Sequence, residues 1–332
     1  MAALADRFGR RHTYLRLGLT ERCNLRCTYC MPAAGVPLTP TRQMLTTAEA
    51  VRLVRVLAGA GVEKVRLTGG EPLVRRDAVE VVERLGRLGL RSLAMTTNGL
   101  LLEDRLPALA RGGLTDLTVS LDTLRPDRFE AVTRRPGLDR VLSAVDAALA
   151  AGYAAGTARS LKVNVVALRG VNDDEAADFA ALAARLPVEV RFIEVMPFDG
   201  NGWDRAGLVP YAETRAQIEA VHGPLAPLGD GPHATARTFA RAGWRGRVGF
   251  VASMTVPFCA GCNRLRVTAD GSLKVCLFGA SETSLRDALR AGATDAEVVA
   301  LVAGALAGKH AAHAGMDRLA AAPGRPMITI GG

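Results

Sequence analysis

The chain has 332 residues, of which 49% are hydrophobic and 23% are charged, a composition typical of folded globular proteins and not of disordered ones. No apolar stretch approaches the roughly 20 residues that a membrane span requires, and residues 1–15 lack the apolar core of a signal peptide. We therefore expect a cytoplasmic protein without a membrane partner. The net charge of +9 favours an anionic ligand, but the basic residues form no run or arm, so nucleic acid is not an expected partner.

Residues 13–222 alternate between short β-branched apolar segments and longer segments rich in alanine and leucine, which predicts a β/α protein with a parallel sheet. The predicted strands are residues 13–19, 64–68, 92–97, 116–121, 161–168 and 188–196. The predicted helices are residues 47–60, 77–88, 103–111, 138–151, 174–185 and 211–221. Six such units favour an α/β fold built as an incomplete, TIM-like (β/α)6 barrel. A doubly wound nucleotide-binding fold is the alternative, although no G-x-G-x-x-G motif follows an early strand.

The second part of the chain has a different pattern. Residues 223–247 are rich in glycine and proline, which predicts a linker or a loop-rich entry to a smaller unit. Residues 264–278 alternate around Ala269–Asp270–Gly271 as a β-hairpin does, and residues 284–308 form a helical pattern. We therefore divide the chain into a barrel at residues 1–222 and a C-terminal α+β domain at residues 223–332.

Polar and glycine-rich segments follow the predicted strands. Because active sites of β/α folds lie at the carboxyl ends of their strands, we expect the chemistry there. The segments are TERC, TGGEP, TNG, SLD, RGVND and MPFDGN.

All six cysteines fall into two groups of three, at Cys23, Cys27 and Cys30, and at Cys259, Cys262 and Cys276. In a reducing compartment such groups favour metal ligation or catalysis over disulfides. The first group has the spacing C-x3-C-x2-C, with no fourth cysteine nearby and no histidine between Thr13 and Ala220, so it matches a structural zinc site poorly. Three thiolates suit a [4Fe–4S] cluster whose fourth iron is open to substrate.

This cysteine spacing, followed after the second strand by Gly69, Gly70, Glu71 and Pro72, resembles the radical S-adenosylmethionine superfamily. The resemblance implies that the open iron binds S-adenosylmethionine, and that one electron from an external donor cleaves it to a 5′-deoxyadenosyl radical. It also implies the residues that contact S-adenosylmethionine. They are Tyr29 at the adenine, Gly69 and Gly70 at the methionine amino group, and Glu71, Ser120 and Met196.

The second group has the spacing C-x2-C-x13-C across the predicted hairpin. Taken alone, it is either a zinc ribbon or an auxiliary iron–sulfur cluster. The fourth zinc ligand would come from His222, His233, His310 or His313.

The surrounding block, VGFVASMTVPFC to CLF, resembles the GTP 3′,8-cyclase family, which begins molybdenum cofactor synthesis. The same holds for the segment DRFGRRHTYLRLGLTERCNLRCTYCMP and for the terminal Gly331–Gly332. Gly18 and Leu19 in place of Ser–Val, and Leu25 in place of phenylalanine, depart from the family pattern and touch no cluster ligand.

The family resemblance implies a second [4Fe–4S] cluster on the second cysteine group, whose open iron binds the guanine of GTP. Arg264 and Arg266 alternate on one predicted strand, so their side chains share a face that suits a triphosphate. The residues at family positions that line the GTP pocket are Arg16, Arg66, Thr97, Lys162, Arg264 and Arg266. Gly331 and Gly332 match a tail that enters the active site.

The implied activity is that of a lyase. The radical removes hydrogen from C3′ of GTP, and C3′ then attacks C8 of guanine to give 3′,8-cyclo-7,8-dihydro-GTP. The resemblance also implies a homodimer that passes its product to a cyclic pyranopterin monophosphate synthase. One alternative is another radical enzyme with an auxiliary cluster, of the peptide- or sulfatase-maturing type, although such enzymes usually carry more cysteines in the C-terminal part. The other is a zinc-stabilised binding protein without catalysis.

Overall fold

The computed structural model describes residues 4–322 and 324–331. Its strands belong to a single sheet of 12 strands in the order β12-β11-β10-β1-β2-β3-β4-β5-β6-β9-β8-β7. The strands are β1 (Tyr14–Gly18), β2 (Lys64–Thr68), β3 (Ser92–Thr97), β4 (Asp116–Ser120), β5 (Ser160–Ala167), β6 (Glu189–Glu194), β7 (Ala226–Pro227), β8 (Arg237–Ala240), β9 (Arg247–Val251), β10 (Arg264–Val267), β11 (Ser272–Lys274) and β12 (Thr283–Ser284). Strands β10, β1 to β6 and β9 run parallel, which is the core of a partial barrel.

Helices alternate with the parallel strands as far as residue 222, and further helices follow the last strand. They are α1 (Thr47–Gly59), α2 (Ala78–Gly86), α3 (Leu102–Arg111), α4 (Pro126–Thr133), α5 (Leu138–Ala150), α6 (Ala176–Arg185), α7 (Tyr211–His222), α8 (Leu285–Arg290), α9 (Asp295–Ala307), α10 (Met316–Ala320) and α11 (Met327–Ile330). The six strands and six helices predicted for residues 13–222 are confirmed to within a few residues at each end. No helix of the described part of the chain is long and apolar enough to cross a membrane.

The local structure differs from the sequence prediction at helix α4 and at residues 284–308. Helix α4 was not predicted, although Pro126 occupies its first turn, where the missing N–H of proline costs nothing. Residues 284–308 form two helices, α8 and α9, because the chain turns at Gly292 with a left-handed φ of 85°.

Residues after 222 extend both ends of the barrel sheet. Strand β9 pairs with β6 and strand β10 pairs with β1, both in parallel. The hairpin predicted around Ala269–Asp270–Gly271 is confirmed as the antiparallel pair β10 and β11. Residues 223–247, predicted as a linker or loop, contain β7 and β8, which pair with each other and with β9. The predicted division of the chain at residue 222 stays a prediction.

The parallel strands have one apolar and one polar face because successive side chains of a strand point to opposite sides. The apolar face packs against the helices through buried residues such as Leu15, Leu17, Val65, Leu117 and Val163. The other face, which lines the inside of the partial barrel, is polar, whereas closed eight-stranded barrels fill this space with apolar side chains. Its residues include Tyr14, Arg16, Lys64, Arg66, Asp116, Thr118, Lys162, Glu189, Arg191, Arg264 and Arg266.

Candidate functional site

The two cysteine groups lie at opposite ends of the parallel strands. The first group follows the last residue of β1, at the carboxyl end of the sheet. Cys259 and Cys262 precede β10, which pairs in parallel with β1 from Tyr14 opposite Arg264, and Cys276 follows the antiparallel strand β11. All three cysteines of the second group are therefore at the amino end. Strand β1, with 5 residues, rises roughly 13 Å, so the inner face of the barrel lies between the two groups.

Helix α4 and the turn after it hold the loop of the first cysteine group. The backbone N–H of Thr28 donates to the carbonyl of Val132 at 2.9 Å, and that of Arg26 donates to Thr133 at 2.9 Å. Arg134, whose φ is +57°, donates from its guanidinium to the carbonyl of Arg26 at 2.6 Å. These contacts were not predicted from the sequence because α4 was not predicted. A proline such as Pro126, which is favoured in the first turn of a helix, could have indicated where α4 begins.

Gly69 and Gly70 pack against the chain just before Cys23. A Cβ on Gly70 would lie 2.5 Å from the carbonyl oxygen of Arg22, and a Cβ on Gly69 would overlap the carbonyl oxygen of Thr20. Contacts this close with backbone oxygen exclude any side chain. The structure thus gives the two glycines a role in seating the cysteine loop, and their predicted contact with S-adenosylmethionine stays a prediction.

Glu71 links the ends of β2 and β3. Its carboxylate accepts hydrogen bonds from the N–H of Leu73 at 2.9 Å, the hydroxyl of Thr97 at 2.8 Å and the N–H of Asn98 at 2.6 Å. Burial raises the pKa of Glu71 to about 7. The side-chain amide of Asn98 donates in turn to the sulfur of Cys23 at 3.9 Å. Asn98, in the TNG segment, was not among the predicted site residues, and the predicted ligand contacts of Glu71 and Thr97 stay predictions.

Tyr29 lies among residues from the carboxyl ends of other strands. Its hydroxyl donates to Asp122 at 2.7 Å, and the side-chain amide of Asn201 donates to the carbonyls of Tyr29 at 3.2 Å and Met196 at 2.9 Å. Ser120 is the last residue of β4 and is half-buried. Burial, with the Asp122 carboxylate beside it, raises the pKa of Tyr29 well above its usual value. Three of the residues predicted to contact S-adenosylmethionine thus lie at the end of the barrel that carries the first cysteine group.

The inner face carries a row of cations across neighbouring strands. Arg266, Arg16 and Arg66 are opposite one another on β10, β1 and β2. Arg66 is buried and donates to the hydroxyls of Tyr14 at 2.7 Å and Thr118 at 2.8 Å. Like charges on adjacent strands repel one another, and burial followed by the repulsion of Arg16 lowers the pKa of Arg266 well below its usual value. A bound polyanion would relieve this repulsion.

Lys162 lies on the same inner face, on β5. Its ammonium donates to the hydroxyl of Ser160 at 2.7 Å and lies 3.5 Å from the carboxylate of Asp116. Burial, followed by the nearby charge of Arg191, lowers the pKa of Lys162 to about 8. The residues predicted from sequence to line a GTP pocket, including Lys162, therefore share the inner face of the barrel. Thr97 is the exception and lies at the end of β3.

The C-terminal segment enters the carboxyl end of the barrel. The guanidinium of Arg266 donates to the carbonyl of Gly331 at 2.6 Å, and a Cβ on Gly331 would lie 2.9 Å from the hydroxyl oxygen of Thr68. On α11, the Met327 sulfur is 3.5 Å from the Cys30 sulfur. The predicted role of the tail in the active site stays a prediction. Gly332 lies outside the described residues.

The second cysteine group lies among cations. The guanidinium of Arg264 stacks over the ring of Phe258 at 4.7 Å, and the ammonium of Lys309 lies 3.5 Å from the sulfur of Cys262. Although burial opposes ionisation of the thiol, the charges of Arg264 and Lys309 lower the pKa of Cys262 to about 7. This environment favours a thiolate, which is the form that binds metal.

The donor set fits iron–sulfur clusters better than a single metal ion. All six cysteines are free thiols and half-buried. Within the described ranges, no three His, Cys, Asp or Glu side chains could hold one metal ion. The cysteines of a [4Fe–4S] cluster each bind a different iron, so they need not converge on one point. His222, His233 and His313, considered as fourth zinc ligands, each have a ring nitrogen near a backbone carbonyl, at 2.8, 2.9 and 3.2 Å.

Comparison with known proteins assigns a family to each half of the chain. Residues 17–183, which contain the first cysteine group, match the Radical SAM superfamily. Residues 188–315, which contain the second group, match the family described as Molybdenum Cofactor Synthesis C.

Among the relatives that align with 99% of this chain are a plant protein and a mouse protein. The Arabidopsis thaliana protein named GTP 3′,8-cyclase, mitochondrial is 53% identical, and 83% of its length is covered. The Mus musculus Molybdenum cofactor biosynthesis protein 1 is 50% identical, and this chain spans about half of it, 51%. A crystal structure of Streptococcus suis SuiB bound to S-adenosylmethionine has the same fold, with a TM-score of 0.58 at 14% identity, over 84% of this chain and 65% of that one.

The chain is thus a radical SAM enzyme in its fold and in the placement of its first cysteine group. It belongs to the Radical SAM superfamily and, within it, to the family of the plant GTP 3′,8-cyclase. Membership implies a [4Fe–4S] cluster and S-adenosylmethionine as cofactors. The expected cytoplasmic location stays a prediction, and the name of the plant relative places that protein in mitochondria.

Proposed function

We propose that this protein is a GTP 3′,8-cyclase, which converts GTP and S-adenosylmethionine to (8S)-3′,8-cyclo-7,8-dihydroguanosine 5′-triphosphate in the first step of molybdenum cofactor biosynthesis. The observation that carries the proposal is the placement of two cysteine groups at the two ends of one cationic inner face. A radical source at one end and a substrate anchor at the other require this arrangement. The names and the 50–53% identity of the two relatives support it.

Cys23, Cys27 and Cys30 would hold the first [4Fe–4S] cluster, and the fourth iron would have no protein ligand. A cluster held by these cysteines would supply the electron for cleavage of S-adenosylmethionine to the 5′-deoxyadenosyl radical. The protein contributes position and shielding. Glu71 and Asn98 fix the loop near Cys23, and Tyr29 with Met196 provides a half-buried wall where an adenosyl group would lie.

The cations of the inner face would hold the triphosphate. GTP brings about four negative charges, and arginine forks suit phosphate oxygens because each can donate two parallel hydrogen bonds. Arg16, Arg66, Lys162, Arg264 and Arg266 supply the matching positive charge from four adjacent or nearby strands. The carbonyl of Gly331 occupies one donor of Arg266, so the tail would help to orient that guanidinium and close the carboxyl end over the substrate.

Cys259, Cys262 and Cys276 would hold a second [4Fe–4S] cluster that binds the guanine base. The proximity of Arg264 and Lys309 to Cys262 supports this assignment, because these cations stabilise thiolate ligands. In this proposal residues 1–222 form the radical-generating barrel and residues 223–332 form the domain with the second cluster. The proposed partners are a second copy of the chain, an external electron donor and a cyclic pyranopterin monophosphate synthase that takes up the product.

Anaerobic reconstitution followed by iron counting and product analysis tests the proposal. Two clusters predict about eight irons per chain, and Cys27→Ser and Cys262→Ser should each retain about four. Incubation with GTP, S-adenosylmethionine and dithionite should yield 5′-deoxyadenosine together with the cyclised nucleotide. If 5′-deoxyadenosine forms without any product from GTP, the chain is a radical enzyme of another type, such as a peptide- or sulfatase-maturing one. Stoichiometric zinc without iron in protein purified anaerobically would make it a binding protein.

A further inference from the structure

Lys309 is a buried lysine without a carboxylate partner. Only 3% of the residue is exposed. Its ammonium contacts the ring nitrogen Nε2 of His12 at 2.8 Å, the carbonyl of Arg264 at 3.2 Å and the sulfur of Cys262 at 3.5 Å. Within the part of the chain that the structure describes, these three are its hydrogen-bond partners, and no aspartate or glutamate oxygen lies within 4.0 Å of it.

His12 fixes the position of this ammonium. Burial and the charge of Lys309 lower the pKa of His12 to about 4, so the ring is neutral at pH 7 and its Nε2 accepts the hydrogen bond from Lys309. The segment around His12 also supports the second cysteine group directly. Arg10, paired with Asp6 at 2.7 Å, donates to the carbonyl of Cys259 at 2.8 Å. Residues near the start of the chain thus hold both Lys309 and the cysteine turn.

A buried ammonium is costly unless an anion compensates its charge. The carbonyl and the neutral imidazole are acceptors without charge, so the sulfur of Cys262 is the only one of the three partners that can become an anion. The contact therefore pairs a cation with the thiolate that a cluster would require. Hydrogen bonds to ligand sulfurs, local charge and solvent exposure set the reduction potential of iron–sulfur clusters.

We propose that Lys309 is a positioning residue for the second cluster. Lys309 holds Cys262 in place as a cluster ligand and raises the reduction potential of the cluster through a charged hydrogen bond to the Cys262 sulfur. The inference rests on the second cluster of the proposed function. Reduction by one electron adds negative charge to the cluster, and a nearby buried cation stabilises the reduced state more than the oxidised one. The first cluster, at the other end of the strands, should not respond to Lys309.

The test measures the potential of each cluster separately. In the full chain, Cys23→Ala, Cys27→Ala and Cys30→Ala together leave only the second group to bind iron, and a dithionite titration followed by electron paramagnetic resonance gives its midpoint potential. Lys309→Met should make reduction at least tenfold less favourable, a fall of about 59 mV for one electron. Lys309→Arg, which keeps the charge, should remain closer to wild type. In chains with both clusters, the potential of the first cluster should not change.

Lys274→Met is the matched control. Lys274 is also buried, 4% exposed, but its ammonium pairs with Glu282 at 3.2 Å and contacts the carbonyl of Gly279. Its removal should leave the potential of the second cluster unchanged. An unchanged potential in Lys309→Met, or an equal fall in Lys274→Met, would overturn the proposal.

Failure to assemble the second cluster is interpreted differently for chains with wild-type Lys309 and for Lys309→Met. If the chain with wild-type Lys309 binds no iron at its second cysteine group, the second cluster of the proposed function is wrong. If only Lys309→Met fails to assemble it, Lys309→Gln replaces that variant in the titration. A potential for Lys309→Gln below that of Lys309→Arg supports the proposal, and equal potentials overturn it.

Discussion

The guanidinium of Arg266 donates a hydrogen bond of 2.6 Å to the carbonyl of Gly331, which ties the C-terminal segment to strand β10 inside the barrel. The contact joins Arg266, which we propose to bind the triphosphate, to the C-terminal segment. Gly331 itself has a left-handed φ of 86° and lies against Thr68. A side chain at this position would be strained and would also collide with the end of strand β2.

Gly331→Ala should therefore displace the tail from the barrel. We expect the rate of GTP cyclisation to fall by at least about tenfold, since misplacing a positioning group by an ångström has effects of this order or larger. Formation of 5′-deoxyadenosine should persist. The measurement is the ratio of cyclised nucleotide to 5′-deoxyadenosine under anaerobic turnover.

Gly315→Ala is the control for backbone strain alone. Gly315 has nearly the same φ, 85°, but a Cβ there would have no heavy atom within 4 Å. Because its ψ of 157° also lies in a region that only glycine adopts readily, the substitution should lower the thermal midpoint and leave the product ratio unchanged. Equal product ratios in Gly331→Ala and wild type would show that the position of the tail does not matter for cyclisation.

Gly70 offers a test of how the first cysteine group is seated. Gly70→Ala would place a methyl group 2.5 Å from the carbonyl oxygen of Arg22, which must then move together with the loop that carries Cys23. We expect the first cluster to assemble poorly, so that iron content falls from about eight toward about four per chain. The second cluster should remain.

Gly304→Ala is the matched control for this substitution. Gly304 lies in helix α9, is exposed, and has no heavy atom within 4 Å of its would-be Cβ. Alanine there should stabilise the helix by about 0.5–1 kcal/mol without changing iron content. Full iron content in Gly70→Ala would contradict the seating role.

The strands and most of the helices of residues 13–222, the hairpin after them and the cysteine groups were predictable because each depends on a local pattern. Strand alternation and helix periodicity extend over a few residues, and the cysteine spacings are short. The relation between the two cysteine groups was not predictable in this way. It depends on the pairing of β1 with β10, whose residues Tyr14 and Arg264 are far apart in the chain.

The residues that hold the predicted site residues in place could not be predicted from local sequence patterns either. Asn98 contacts Cys23, and Lys309 contacts Cys262, only because distant segments meet in the folded chain. Arg134 was hidden for another reason, since α4 has only 8 residues and gives a weak periodic signal. The cluster ligands and substrate-binding side chains could therefore be predicted from the sequence, whereas the residues that position them could be identified only in the structure.

Tyr29 provides a test that separates its ring from its hydroxyl. The hydroxyl already donates to Asp122 at 2.7 Å, so the ring is the part left to contact an adenosyl group. Tyr29→Phe should keep the affinity for S-adenosylmethionine within about threefold, because the ring remains. It should destabilise the fold by about 1–3 kcal/mol, because the buried Asp122 loses a hydrogen bond.

Tyr29→Leu should weaken binding of S-adenosylmethionine much more than Tyr29→Phe does, since it removes the aromatic ring. Equilibrium binding to the reconstituted protein measures the affinity, and thermal unfolding measures the stability. A large loss of affinity in Tyr29→Phe would assign the binding role to the hydroxyl instead.

Lys162 should make GTP binding depend on pH. Its pKa, lowered to about 8 by burial and then by Arg191, means that the free protein loses this charge as pH rises above 8. Bound triphosphate favours the charged form and raises the pKa, so binding above pH 8 requires uptake of a proton. The dissociation constant for GTP should be nearly constant below pH 8 and rise about tenfold between pH 7 and pH 9.

Lys162→Arg separates this residue from other groups that titrate in the same range, such as Tyr14, whose pKa is lowered to about 7 by Arg66 and Arg16 despite its burial. An arginine stays charged throughout, so any part of the pH dependence due to Lys162 should disappear in the variant. Binding of GTP to the reconstituted protein at a series of pH values measures the effect. If wild type and Lys162→Arg lose affinity equally above pH 8, the group that titrates in this range is not Lys162.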